Sequence, residues 1–147
     1  MATQFAAVTL TITASTLASG AKRESAAVTV ATDANVQDYR VYVKPTAAAG
    51  TPAGSKAVYV WIAASDDGTN WTGNATGLNS DIVLDTPHQF ALGCVIAFPT
   101  TTLARGGSFS VRAACGGSLP QKFSVIIENQ IGQAFSALTV ACEKETG

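Results

Sequence analysis

Charge is scarce in this chain. Lys, Arg, Asp and Glu together make up 13% of its 147 residues, against about 25% in an average soluble domain. Nine basic and ten acidic side chains leave a net charge of −1. There is no surplus of Lys and Arg to neutralise a phosphate backbone, so a free-standing nucleic-acid binder is excluded. The same shortage of Glu, Lys and Arg argues against a coiled coil or helical bundle. Aromatic residues are also few, at 7%, yet the hydrophobic share is 47%, too high for a disordered chain. No long run is apolar without polar interruption, which argues against a transmembrane helix. Met1–Val8 lacks the basic region and continuous apolar stretch of a secretory signal. Synthesis in the cytoplasm without export is therefore expected.

Metal and nucleophile chemistry are equally short of material. His88 is the only histidine, and the three cysteines (Cys94, Cys115 and Cys142) are widely spaced with no C-x-x-C pair. A zinc site needs about four N or S ligands with short pairwise spacings, so no metal site is expected. The cysteines read as reduced, buried small hydrophobes; a disulfide within or between chains is the alternative, which spacing does not decide. The sequence has no G-x-S-x-G elbow, phosphate loop or dinucleotide signature. His88 follows Pro87 and reads as a turn residue. Cys115 precedes Gly116-Gly117 and reads as a structural thiol, although either would be the candidate if the chain were a hydrolase. Asp66-Asp67-Gly68-Thr69-Asn70 concentrates oxygen atoms but lacks the rest of a calcium loop, and reads as a turn. No catalytic, cofactor-binding or metal residue is assigned. Asn70-Trp71-Thr72 and Asn74-Ala75-Thr76 match the glycosylation sequon, which here says only surface loop.

What fills the chain instead is Ala, Thr, Ser and Gly in period-2 alternation with Val, Ile and Leu. Strands are expected over Gln4–Thr13, Ala26–Ala31, Tyr39–Lys44, Lys56–Ser65, Asp81–Asp85, Phe90–Phe98, Ser108–Ala114, Lys122–Glu128 and Ala134–Glu143, with a further short one near Trp71. Tyr39, Val41 and Val43 share one face, and Arg40, Tyr42 and Lys44 the other. Lys56–Ser65 is apolar on both faces, with Val58, Val60, Ile62 and Ala64 opposite Tyr59 and Trp61, and reads as a central strand. The connections 14–25 and 45–55, rich in small residues and carrying Gly and Pro, read as flexible arms or loops. Eight to ten short strands in one domain, 1–147, predict an all-β, antiparallel β-sandwich of jelly-roll or immunoglobulin-like type. At this length roughly 70% of the unfolded surface can be buried without staples.

Three stretches then carry a resemblance. They are Val58–Thr72, running into Ser-Asp-Asp-Gly-Thr-Asn-Trp-Thr; Gly107-Ser-Phe-Ser-Val-Arg-Ala-Ala-Cys-Gly-Gly-Ser-Leu-Pro120; and Phe123-Ser-Val-Ile-Ile-Glu-Asn-Gln-Ile-Gly-Gln-Ala134. In this order they resemble small β-sandwich structural proteins of tailed-bacteriophage virions. Such proteins often continue from Leu-Pro into another tryptophan, where this chain has Gln121-Lys122-Phe123, and the N-terminal third carries no matching feature. The resemblance implies a non-enzymatic virion protein made in a bacterial cytoplasm. It would be either a capsid decoration or cement protein, as a homo-oligomer such as a trimer on the major capsid protein, or a tail, collar or baseplate component, including one that attaches fibres. An uncharged surface suits assembly, because little charge has to be desolvated. Trp61 and Trp71, with Tyr59, are the expected contact residues, since rigid aromatics dominate interface energetics. The loop through Thr46, Gly50 and Gly54 is the other expected contact. The same three aromatics would serve a carbohydrate-binding module as a sugar platform.

Overall fold

The computed structural model describes residues 3–48, 51–83, 89–99 and 104–147. Among these residues alternating side chains build ten strands: β1 (Gln4–Val8), β2 (Lys22–Glu24), β3 (Val28–Thr29), β4 (Val36–Ala47), β5 (Ala57–Ser65), β6 (Ser80–Asp81), β7 (Ala91–Ala97), β8 (Gly107–Ser110), β9 (Lys122–Gln130) and β10 (Phe135–Thr146). They form two antiparallel sheets, ordered β1-β10-β4-β8 and β6-β2-β9-β5-β7, with β3 also paired to β9. The sheets enclose the core of a β-sandwich, as the alternation predicts. The inward set is Val41 and Val43 from β4, Val58, Val60 and Ile62 from β5, and Phe123, Val125 and Ile127 from β9, all essentially inaccessible. Tyr39 closes one end edge-on to Phe123, with ring centroids 5.6 Å apart. Its hydroxyl accepts the Ala31 N–H at 2.9 Å, so the buried phenol is satisfied. The strand β5 lies between β9 and β7, and both its faces are apolar because Val58, Val60 and Ile62 face the core while Trp61 and Ala63 pack in a second small cluster on the outer face.

Several expected boundaries are corrected. The segment 14–25 is not a free arm. Ala14 and Leu17 are buried in the core, Lys22–Glu24 is β2, and Asn129 ties the segment down. Backbone bonds continue the attachment, from Gly20 N–H to the Asn129 carbonyl at 2.7 Å and from Asn129 N–H to the Ala21 carbonyl at 3.1 Å. Nor does a loop begin at Pro45. The strand β4 runs on to Ala47 because β10 continues beside it, pairing Pro45 with Leu138. Proline is tolerated there because β8 starts only at Gly107, opposite Val43, and the Pro45 carbonyl takes the Arg105 N–H instead. Residues 51–56 are fastened to the β9–β10 turn, with the Ala53 N–H donating to the Ile131 carbonyl at 2.8 Å. In that turn Gly132 has φ +85°, and a Cβ on it would lie 2.7 Å from the Ala53 amide nitrogen, so two chain segments meet where only glycine fits.

Ser108–Ala114 is not one strand: after β8 the chain enters a helical turn, α1 (Val111–Ala114). Local capping outweighs the alternation. The Ser110 hydroxyl accepts the Ala113 N–H at 3.0 Å and donates to Asp38, whose other oxygen takes the Arg112 N–H at 2.9 Å. No strand leaves the Asp66–Asn70 turn at Trp71. The first strand ends at Val8, although Leu10 and Ile12 keep alternating with exposed Thr9, Thr11 and Thr13 and still pack on the core. The strand expected over Ala26–Ala31 shrinks to Val28–Thr29. The strand expected over Asp81–Asp85 is Ser80–Asp81 as far as the described residues reach.

Candidate docking surface

Strand register lays out the outer face of the second sheet in rows. One row runs Val95, Tyr59, Glu128, Lys22 across β7, β5, β9 and β2; the next runs Leu92, Trp61, Ile126, Glu24. Among the described residues, Trp71, Ala75, Ile82 and Phe90 cover one half of this face and leave the other open.

The covered half is a second small core of Ala63, Ala75, Ile82, Phe90 and Ile126, with Trp61 and Trp71 packed against it. Its approach is set by the predicted turn. Gly68 has φ +78°, and the Asp67 carboxylate accepts the N–H groups of Asn70 and Thr69 at 2.7 and 2.8 Å. These bonds, with those from the Asn70 side chain and Ser65, hold the Asp67 carboxyl well below the usual carboxylate range. Further on, Trp71 lies over Gly77, where a Cβ would come within 2.5 Å of the indole. The fastening is Glu24, which is 1% exposed. Its carboxyl accepts the Thr76 N–H (3.1 Å), the Thr76 hydroxyl (3.2 Å), the Gly77 N–H (2.8 Å) and the Ser124 hydroxyl (2.7 Å). One buried group thus holds the covering loop to both β2 and β9.

On the open half, Tyr59 and Trp61 stand side by side with ring centroids 6.3 Å apart and planes 23° from parallel. The indole N–H donates to Glu128 at 3.1 Å; Gln130 donates to the other Glu128 oxygen, and Lys22 sits 3.7 Å from it. Beside this pair, β7 exposes Val95 (49%) and Leu92 (46%). Residues three apart on a regular strand face opposite ways. Here Cys94 pairs with Val60 and Leu92 with Trp61, leaving Gly93 as a bulge that returns both side chains to one face. The bulge must be glycine, since a Cβ would fall 2.8 Å from the Phe109 ring of the other sheet.

The expected contact residues are therefore split. Tyr59 stands on the open half stacked with Trp61, and Trp61 lies at its border, packed like Trp71 against the small core of the covered half. Thr46 lies in β4 of the other sheet, half-buried and bridged to Ala104. Gly54 is exposed in the turn fastened to β9. Gly50 and His88 lie outside the described residues. Leu92 and Val95 were hidden by the alternation, which treats the whole of Phe90–Phe98 as one regular strand.

A cleft of about 500 Å³ lies elsewhere, lined by Ile62, Asp66, Thr72, Gln89, Cys115 and Ser118 among others. Burial pushes the Cys115 thiol up to about 11, with Asp66 and Asp38 adding to the effect. That is the reverse of an activated nucleophile. Burial likewise raises Cys94 to about 11 and Cys142 to about 12. All three are free thiols. Alkylation of the folded protein at pH 8 is expected to be roughly 100-fold slower than that of the unfolded chain. Its rate should climb about tenfold per pH unit toward 11, as mass spectrometry after iodoacetamide pulses would read. The unfolded thiols ionise first, near 9, so stability falls as pH rises from about 9 through 11. Among the described residues no group of three or more His, Cys, Asp and Glu is placed to hold a metal ion. Comparison with known protein families, with curated proteins and with solved structures finds no match to this chain.

Proposed function

We propose that the chain is a non-enzymatic structural protein of a tailed-phage virion, a decoration or cement protein that binds and braces the capsid shell. The observation that supports this reading is the open half of the second sheet. There, rigid aromatics flank exposed aliphatic side chains on a strand that carries no charge. Such a surface is cheap to desolvate and suits close packing against a partner. The partner is the major capsid protein, and many moderate contacts on a closed shell add up through multivalency. The phage resemblance supplies the context, and a tail, collar or baseplate position is the alternative within it.

Copy number separates the two. Electron cryomicroscopy of the particle that carries this chain should find hundreds of copies on the shell; three to twelve at a tail vertex would replace the capsid reading with the tail reading, and absence from the particle would end both. Leu92→Ser removes an exposed apolar contact without touching the core. It is expected to weaken binding to shells lacking the protein by about tenfold, on the scale of truncating one anchoring side chain. Unchanged binding, measured by co-sedimentation, would move the docking surface away from β7.

A further inference from the structure

We propose that Asp67-Gly68 is a site of spontaneous backbone isomerisation, aspartate to isoaspartate, which the folded turn holds back through the bonds on the Asp67 carboxylate. It is the one Asp-Gly pair in the chain, and there is no Asn-Gly. The reaction begins when the Gly68 main-chain nitrogen attacks the Asp67 carboxyl carbon. A C–N bond forms, and the carboxyl hydroxyl departs as water with the Gly68 amide proton, leaving a five-membered succinimide. Water then adds to the former main-chain carbonyl of the ring and breaks its bond to nitrogen. The chain thereafter runs through Cβ and Cγ of residue 67, with the old α-carboxyl as its side chain. One water is lost and one regained, so the mass is unchanged and nothing is oxidised or reduced. Glycine in the second position favours ring closure, because it has no side chain to crowd the nitrogen.

The fold restrains the carbon under attack more than the attacking nitrogen. Among the described residues the Gly68 N–H has no hydrogen-bond partner. The Asp67 carboxylate has four. One oxygen accepts the Asn70 N–H at 2.7 Å, the Thr69 N–H at 2.8 Å and the Ser65 hydroxyl at 3.2 Å; the other accepts the Asn70 side-chain amide at 2.7 Å. Attack requires the carboxyl to turn its carbon toward the Gly68 nitrogen, and that rotation breaks bonds on both oxygens. It also requires the neutral acid, since an ionised carboxylate offers no hydroxyl to leave as water. The same bonds favour the ionised form. Gly68 itself is held at φ +78° against Gln121, whose side-chain oxygen a Cβ would run into, so ring closure has to move two chain segments. Once formed, isoaspartate lengthens the main chain by one atom inside the turn that leads to Trp71. None of this depends on the virion reading.

The test compares the full folded chain with the same chain unfolded in guanidinium chloride, both kept in mildly acidic buffer. Isoaspartate at 67 is read by peptide mapping with electron-transfer fragmentation and by enzymatic methylation of isoaspartyl groups. Its formation is expected to be about tenfold or more slower in the folded chain. Ser65→Ala combined with Asn70→Ala removes the two side-chain donors and keeps the two amides. It is expected to raise the folded rate about fivefold. Asn129→Ala loosens the attachment of Leu17, away from this turn, and should leave the rate as in the unaltered protein, which separates the bonds of the turn from general stability. Equal rates in the folded and unfolded chains overturn the proposal. So does a double variant no faster than the unaltered protein, or an acceleration by Asn129→Ala as large as that of the double variant.

Discussion

Replacing Glu24 with alanine is expected to lower the stability of the fold by about 3 kcal/mol, a fall of roughly 10 °C in melting temperature. Glu24 is enclosed, and four donors converge on it: two from Thr76, one from Gly77 and one from Ser124. Alanine leaves them facing a void, and a buried donor without a partner costs more than the mean worth of a hydrogen bond. The loss is not only global. Those bonds press the loop 75–77 onto the sheet and thereby keep Trp71 against Gly77. Acrylamide should therefore quench tryptophan emission more strongly in Glu24→Ala even below the melting transition. Glu24→Gln preserves shape and one acceptor, but turns an amide NH₂ toward N–H donors. It should recover only part of the stability. A melting temperature unchanged in Glu24→Ala would mean that the loop is held by its apolar contacts alone.

How far this architecture was legible in the sequence depends on which force decides each segment. In β4 the hydrophobic alternation and the burial agree over Tyr39–Val43, because a one-residue slip would turn Tyr39, Val41 and Val43 to solvent, whereas β5 and β9 are buried on both faces and alternation alone does not fix which side chains are covered. Alternation loses its authority where a local or backbone-specific device intervenes. Gly93 inserts one residue, so Leu92 and Val95 share a face that their spacing forbids on a regular strand. Ser110 caps a helical turn inside what reads as strand. Pro45 sits inside β4 only because its neighbour ends two residues earlier, a fact about the sheet and not about the proline. The candidate docking surface was half legible for the same reason. Tyr59 and Trp61 follow from period two, while the seating of Trp71 over Gly77 follows from Glu24, whose role needs partners fifty to a hundred positions away.

Asn129→Ala is expected to be about as damaging, costing about 3 kcal/mol, and its damage should be confined first to 14–21. Asn129 is fully buried. Its amide donates to the Leu17 carbonyl at 2.8 Å and to the Gln133 carbonyl at 2.7 Å, and its oxygen accepts the Ile131 N–H at 3.1 Å. One side chain thus joins the connection leading into β2 to the turn between β9 and β10. Alanine removes the partner of the Gln133 carbonyl and of the Ile131 N–H, and leaves the Leu17 carbonyl with the Phe135 N–H alone, in a place water reaches poorly. Leu17 is then the first core residue able to leave: the backbone bonds of Gly20 and Ala21 to position 129 persist, and what still holds Leu17 and Ser19 comes from the turn, Gly132 N–H to the Ser19 hydroxyl at 3.0 Å and Phe135 N–H to the Leu17 carbonyl at 3.0 Å. Hydrogen exchange should show protection lost over 14–21 at denaturant concentrations where β5 and β9 stay protected. Asn129→Asp keeps the acceptor but loses both donors, so it should release Leu17 while sparing the Ile131 contact. If both variants instead unfold only in a single global transition, the connection and the two sheets are one cooperative unit, and Asn129 stabilises all of it at once.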